Sequence, residues 1–437
     1  MDPLRRVLHR GGLVLEGTRI TEVLSADELA SASPFAGKVI DAPRLTAIPG
    51  FVQTHVHLCQ TLFRGLADDL DLLDWLRLRI FPLESAHTPS SLRASALLGI
   101  AELVRSGTTT IMDMGTISHQ DEIAGAVEES GVRAFVGKAM MDVNTMVPSF
   151  RESTDEAISS TLKLAETWHD TAGGRIRYAV APRFVLSCTD ALVREAYALT
   201  QSFPGMLFHT HAAENRREMD AVRERCGMGN IDYLDAAGVL HANTCLAHCI
   251  WVGEGEIARL RRSKAKVLHC PSSNLKLGSG IAPVPKFLQH KIVVSLGADG
   301  APCNNRLDMF AEMRLAALVQ KPHRGPTALP AETVFEIATL GGALTLGLET
   351  EIGSLEVGKK ADIVLLDLAG VWNSVAPESV DNVYSSIVYS GTPENVHSVM
   401  VDGIWLYRDG VALTIDEHRV RQNAGVELEA LLARANL

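Results

Sequence analysis

Short apolar runs rich in branched residues alternate, through the middle of this chain, with longer segments of helical periodicity. Pro49-Gly50-Phe51-Val52-Gln53-Thr54-His55-Val56-His57 opens the series. Thr108–Met114, Arg133–Met141, Ile176–Phe184, Met206–His211, Asn243–Trp251, Lys266–His269 and Ile292–Gly297 continue it, making eight β-type runs. Thr88, Pro89 and the stretch Ser90 to Arg105 carry a helix-start signal, an N-cap followed by Pro at the first helical position. Eight strands alternating with helices over roughly 250 residues predict a (β/α)8 TIM-type barrel, where chemistry collects at the C-terminal strand ends.

The two ends of the chain read differently. Gly12-Leu13-Val14-Leu15 and Arg19–Leu24 are short strands joined by a hairpin turn at Glu16-Gly17-Thr18. Gly353–Gly358, Ala361–Leu366, Val396–Val401 and Ile404–Tyr407 form a second set. Neither set encloses a core alone, so residues 1–47 and 350–437 are expected to meet in one small β-sandwich domain with a terminal helix, leaving 48–349 as the barrel.

The 437 residues, 46% of them hydrophobic, are enough for a large core. A formal charge of -11 without a basic run argues against nucleic acid and anionic membrane surfaces, which leaves a small molecule as the expected partner. The start Met1-Asp2-Pro3-Leu4-Arg5-Arg6 lacks the apolar core of a signal peptide, and no apolar run reaches membrane-spanning length, so the cytoplasm is the expected compartment. Seven scattered cysteines without a CxxC fit reduced thiols.

Positions two apart on a strand share a face, so His55 and His57 present their imidazoles side by side. Two donors are too few for a metal, and alone the pair reads equally as packed or surface histidines. The fifth strand ends His209-Thr210-His211-Ala212-Ala213-Glu214, and the eighth ends Gly297-Ala298-Asp299-Gly300. Asp299 by itself reads as a turn or cap residue. Together, His55, His57, His211 and Asp299 at strand ends make a three-His, one-Asp set for one divalent metal, with zinc expected and iron the alternative. Leu246-Ala247-His248-Cys249 brings a further His to the same mouth, where the bland reading is a satisfied core residue. His269 reads as structural, and so does His209, which competes with His211 for a single metal.

On these residues the chain resembles the amidohydrolase superfamily, in the branch of guanine deaminases, adenosine-type (S-adenosylhomocysteine and 5'-deoxyadenosine) deaminases and triazine hydrolases. The likeness extends to His269-Cys270-Pro271-Ser272-Ser273-Asn274 and to Ile352-Gly353-Ser354-Leu355-Glu356-Val357-Gly358-Lys359-Lys360-Ala361-Asp362. It implies that His55, His57, His211 and Asp299 bind the metal and that Glu214, His248 and Asp299 act in catalysis. Binuclear relatives carry a lysine at the fourth strand's end; Tyr178–Phe184 has none, so a mononuclear site is expected and Lys138 reads as structural. Such relatives usually begin with another strand before the segment matching Met1-Asp2-Pro3, so that strand is missing here or the start is misassigned.

The implied reaction is hydrolytic deamination of an aminated purine or similar heterocycle. Asp299 takes the proton of the attacking water, Glu214 protonates a ring nitrogen, and His248 stabilises the tetrahedral centre. Gln60, the helix around Trp75 and the run Pro182-Arg183-Phe184 resemble guanine deaminase, whose Gln and Arg grip the purine's polar edge while Phe packs on the ring. The bland reading pairs Arg183 with a structural carboxylate. Gly300–Met309, including Asn304, instead resembles the adenosine-type deaminases and triazine hydrolases. Guanine is therefore the first expected substrate, with 5'-deoxyadenosine, S-adenosylhomocysteine or methylthioadenosine, or a triazine, as alternatives. A homodimer is the expected assembly. A catalytically dead scaffold is disfavoured because the four ligands and the acid–base candidates are all present.

Overall fold

Gly50 is the joint between the two parts of the molecule: a Cβ there would meet the Thr109 side chain at 2.1 Å, so only glycine lets the chain pass from one sheet into the other. The computed structural model describes residues 2, 4–32, 35–375 and 382–436; Met1 and Pro3 lie outside them. Before the joint come β1 (Gly12–Glu16), β2 (Arg19–Leu24) and β3 (Leu45–Pro49), and after it β4 (Phe51–His57).

The barrel continues through β5 (Thr108–Asp113), β6 (Arg133–Val136) with the short β7 (Ala139–Met140), β8 (Ile176–Pro182), β9 (Leu207–Ala212), β10 (Thr244–His248) and β11 (Lys266–His269). It ends with β12 (Val294–Leu296) and the two-residue β13 (Asp299–Gly300). Neighbouring strands are parallel in the order β12-β11-β10-β9-β8-β6-β5-β4-β13, and β12 also pairs with β4, which closes the cylinder. All eight expected runs are strands of this barrel. The helix expected after Thr88 spans Pro89–Arg105, with the Thr88 hydroxyl accepting from Ser91 N–H. Inward side chains such as Val52, Met112, Phe135, Leu207 and Leu268 fill the interior, and Ala343, Leu346, Leu348 and Ile352 pack onto them.

β14 (Ile363–Asp367), β15 (Val396–Val401), β16 (Ile404–Arg408) and β17 (Val411–Ala412) join β3 in a five-stranded antiparallel sheet, order β17-β16-β15-β14-β3. The β1-β2 hairpin attaches through Ile20 N–H to Lys359 O at 2.9 Å and Ala361 N–H to Thr18 O at 2.8 Å. Both chain ends thus build the second β unit. The expected strand at Gly353–Gly358 is instead a run of turns, because both glycines sit at positive φ, 87° and 89°. A 19-residue helix, Glu417–Ala435, follows the sheet and packs back against Pro89–Arg105. Among the described residues no helix is long and apolar enough to cross a membrane.

Arg133, at the start of β6, reaches out of the barrel into the second sheet. Its guanidinium donates to both Asp362 carboxylate oxygens, at 2.9 and 3.1 Å, and to Asp402 at 2.8 Å. Arg133 and Asp362 are buried, so removing one partner strands charge in low dielectric. Arg133→Ala should cost about 3 kcal/mol or more, by analogy with other broken buried pairs, visible as a lower urea midpoint.

Candidate active site

Closure of the barrel sets β13 directly beside β4, with Asp299 opposite Val56 and Gly300 opposite His57. β9, carrying His211, stands across the cylinder, four strands from β4 in the sheet order. Side chains from first, fifth and eighth strands therefore meet at one mouth. One ligand atom from each of His55, His57, His211 and Asp299 lies within 4.8 Å of all the others. Asp299 Oδ1 is 3.3 Å from His55 Nε2 and 3.2 Å from His57 Nε2, and His57 Nε2 is 3.3 Å from His211 Nε2.

The other ring nitrogen of each imidazole is already committed. His57 Nδ1 lies 2.6 Å from the Met114 carbonyl and His211 Nδ1 2.7 Å from the Arg183 carbonyl, so these nitrogens carry the protons and both Nε2 lone pairs are free. His55 Nδ1 lies 2.8 Å from His209 Nε2, and His55 Nε2 is buried without a hydrogen-bond partner. Burial holds the His55 imidazole down at about 4 and that of His211 well below its ordinary value, which keeps both neutral as ligands. The donor set fits a divalent metal with N/O preference. His209, read from sequence as structural, stands behind His55.

The strand ends that bear these groups are strained. Ala213, His248, Cys249 and Asp299 all have positive φ, at 54°, 74°, 48° and 63°, where side chains with a Cβ are uncommon. The turns are pinned by backbone bonds from Cys249 N–H to Ala212 O and from Ile250 N–H to Ala213 O. They aim His248 at the mouth, with Nε2 3.4 Å from Glu214 Oε2 and 3.9 Å from Asp299 Oδ2. Burial, then the charges of Asp299 and Glu218, push the Glu214 carboxyl well above its ordinary range. Glu218 Oε2 in turn accepts the backbone N–H groups of Glu214 and Asn215. The spacing Asn215-x-x-Glu218 is a capping box, a sequence signal that identifies this support.

Over these groups lies a narrow cavity. Leu72, Trp75, Leu76, Phe184 and Leu277 form its apolar wall, with Arg183 and Glu218 beside the catalytic candidates. Trp75 and Phe184 are the two aromatic side chains of this wall, and the Trp75 indole N–H is buried without a partner. The other expected contacts are engaged elsewhere. Arg183 grips Glu84 through two bonds of 2.6 and 2.9 Å, and Gln60 donates to the same carboxylate at 2.8 Å. All three side chains are buried, and Glu84 in Phe81-Pro82-Leu83-Glu84 is the partner that the sequence reading missed. Asn304 donates to Ala298 O and Glu312, behind Asp299. The observed partners of Gln60 and Asn304 are thus protein groups, and neither residue lines this cavity. Lys138 is tied to Glu152 and Ser160, and His269 is buried with both ring nitrogens unpartnered.

A model of the Amidohydrolase family matches residues 46–406. A 5'-deoxyadenosine deaminase of Methanothermobacter thermautotrophicus is 40% identical over 95% of this chain and 94% of its own length. A 5-methylthioadenosine/S-adenosylhomocysteine deaminase of Desulforudis audaxviator is 38% identical over 89% and 87%. Among solved structures, an adenosine deaminase from Xanthomonas campestris with bound zinc superposes with a TM-score of 0.89 at 31% identity, covering 97% of this chain and 94% of that one. The Escherichia coli guanine deaminase gives 0.81 at 28%, covering 91% and 93%. A zinc-complexed atrazine chlorohydrolase from Arthrobacter aurescens, with 0.90 at 22% over 98% and 97%, shares the fold. If the four donors share one ion, His55→Ala should abolish stoichiometric metal, measured by elemental analysis, while the Arg183→Ala protein keeps it. With a closed barrel, a convergent His/Asp cluster and a family match over most of its length, this chain belongs to the Amidohydrolase family.

Proposed function

We propose that this chain, a hydrolase acting on carbon–nitrogen bonds, removes the 6-amino group of an adenosine-type nucleoside. 5'-Deoxyadenosine is the first candidate and methylthioadenosine or S-adenosylhomocysteine the next, with a cytoplasmic homodimer as the expected setting. Water adds to the amine-bearing ring carbon, the carbon–nitrogen bond breaks, and a 6-oxo purine and ammonia leave. The observation that carries the reaction class is the pairing of two acids of opposite state, Glu214 and Asp299, on the two sides of His248.

A divalent metal held by His55, His57, His211 and Asp299, zinc expected and iron the alternative, lowers the pKa of water when bound. The residues supply the proton traffic. Glu214, its carboxyl held neutral by burial and by Asp299 and Glu218, donates a proton to a ring nitrogen and makes the adjacent carbon electrophilic. Asp299 accepts a proton from the attacking water and returns it to the leaving nitrogen. His248 Nδ1 is held 2.8 Å from Asn274 Oδ1, so the neutral ring turns a bare Nε2 to the cavity and accepts a hydrogen bond from the water. It steadies the tetrahedral centre by accepting from its hydroxyl, whose proton returns to Glu214 as the 6-oxo group forms.

Guanine, placed first on the sequence, now ranks second. Arg183 and Gln60, which would have to grip its polar edge, already hold Glu84. The 40% identity to a 5'-deoxyadenosine deaminase over nearly the whole chain supports the adenosine-type reading, and so does the 31% identity to an adenosine deaminase. The 28% identity to a guanine deaminase supports the runner-up. A triazine rests on likeness of fold.

Ammonia release by metal-replete protein tests the choice: kcat/KM should be higher for 5'-deoxyadenosine than for guanine by about tenfold or more, the scale of one net hydrogen bond. The reverse order would restore guanine. Glu214→Gln should lower kcat by about two orders of magnitude or more. Because the raised pKa keeps Glu214 protonated beyond the usual glutamate range, wild-type activity should hold above that range and decline as pH rises through the raised Glu214 pKa.

A further inference from the structure

Asp299 leaves the strand geometry at a left-handed φ of 63°, and its pairing with β4 lasts two residues. Regular sheet packing therefore does not set the rotation of its carboxylate, whose terminal torsion is intrinsically broad. Its two oxygens nevertheless face different partners. Oδ1 looks toward the His55 and His57 nitrogens and accepts Gly300 N–H at 2.9 Å. Oδ2 lies on the His248 side and accepts the Ser273 hydroxyl at 2.6 Å.

Ser273 is fully buried in the short helix Pro271–Lys276, and that helix is clamped to the Asp299 segment from behind. Glu312 accepts Ser272 N–H through Oε2 at 3.2 Å and Asn304 Nδ2 through Oε1 at 2.8 Å, while the same Asn304 amide donates to Ala298 O at 2.7 Å. One buried carboxyl thus fixes the distance between the turn bearing Ser273 and the residue before Asp299. The next residue of the turn, Asn274, holds His248.

From this geometry we infer that Ser273 is a positioning residue for Asp299, holding Oδ2 toward the reacting centre while Oδ1 stays with the imidazoles. The inference rests on the proton-carrying role proposed for Asp299. A serine hydroxyl is donor and acceptor on one rotor. It donates to Oδ2 while the carboxylate is charged, as a short charge-assisted bond. When Oδ2 has taken the proton of water, the hydroxyl turns away as donor, and the proton is free to leave toward the departing nitrogen. No bond to Ser273 forms or breaks in the cycle.

Metal-replete Ser273→Ala, Ser273→Thr and Ser273→Val proteins test this on whichever aminated heterocycle the wild type deaminates. Thr and Val add the same bulk and differ in the hydroxyl, so their comparison stands even where Ala perturbs folding. Ala and Val should lose kcat by about tenfold or more, a fraction of what acid–base groups contribute, with KM near wild type. Thr should recover most of the loss. Metal content, and the rate of metal release to a chelator, should be unchanged in all three. Equal kcat for Thr and Val, or loss of metal together with activity, would overturn the positioning role alone. A wild type that holds metal and releases ammonia from no heterocycle would overturn the deaminase reading, and the role of Ser273 with it.

Discussion

Three imidazole nitrogens and a carboxylate oxygen are held within 4.8 Å of one another at a buried barrel mouth, and the rest of the site is arranged around that crowding. Lone pairs facing each other in low dielectric are costly unless a cation or protons satisfy them. The protein holds them there by engaging the opposite ring nitrogens: Met114 O behind His57, Arg183 O behind His211, and His209 behind His55. The left-handed turns at Ala213, His248 and Asp299 are a further cost of bringing side chains from separate strands to one point.

The same low dielectric sorts the carboxyls around the mouth into different states. Glu214 has no cation of its own, so burial and its acidic neighbours keep it protonated. For Glu84, burial pushes the carboxyl up, but the Arg183 charge and hydrogen bonds outweigh it and hold the group below its ordinary value. A carboxylate with an arginine fork stays charged as a piece of wall, whereas one facing apolar side chains and another acid holds its proton. Three buried glutamates in one small volume, Glu84, Glu214 and Glu218, thereby do three different things.

Much of this was legible along the chain. The barrel strands were visible because buried parallel strands read as near-continuous apolar runs. The four donors of the cluster were visible because each lies at or near the end of such a run, and Thr88-Pro89 marked a helix start by local chemistry alone. The failures share a cause. Gly353–Gly358 read as a strand because apolar alternation does not reveal that two glycines take positive φ. For Gln60 and Asn304 a motif identifies a residue type near the mouth, and not the protein partner that it meets there. Arg183 carried both readings, and the carboxylate that it meets, Glu84, lies 99 residues away.

What the sequence by itself determined is therefore whatever depends on spacing within one element: strand parity at His55 and His57, the alternation of strands and helices, and the caps. Only the tertiary structure decided which distant groups share a hydrogen bond, since those pairings follow from closure of the cylinder and from the folding of the mouth loops over it. Asp299 next to β4, His209 behind His55, Glu84 on Arg183 and Ser273 on Asp299 are contacts between residues far apart in the chain. Periodicity carries no information about them, because it describes one element's faces and not the element that a face meets.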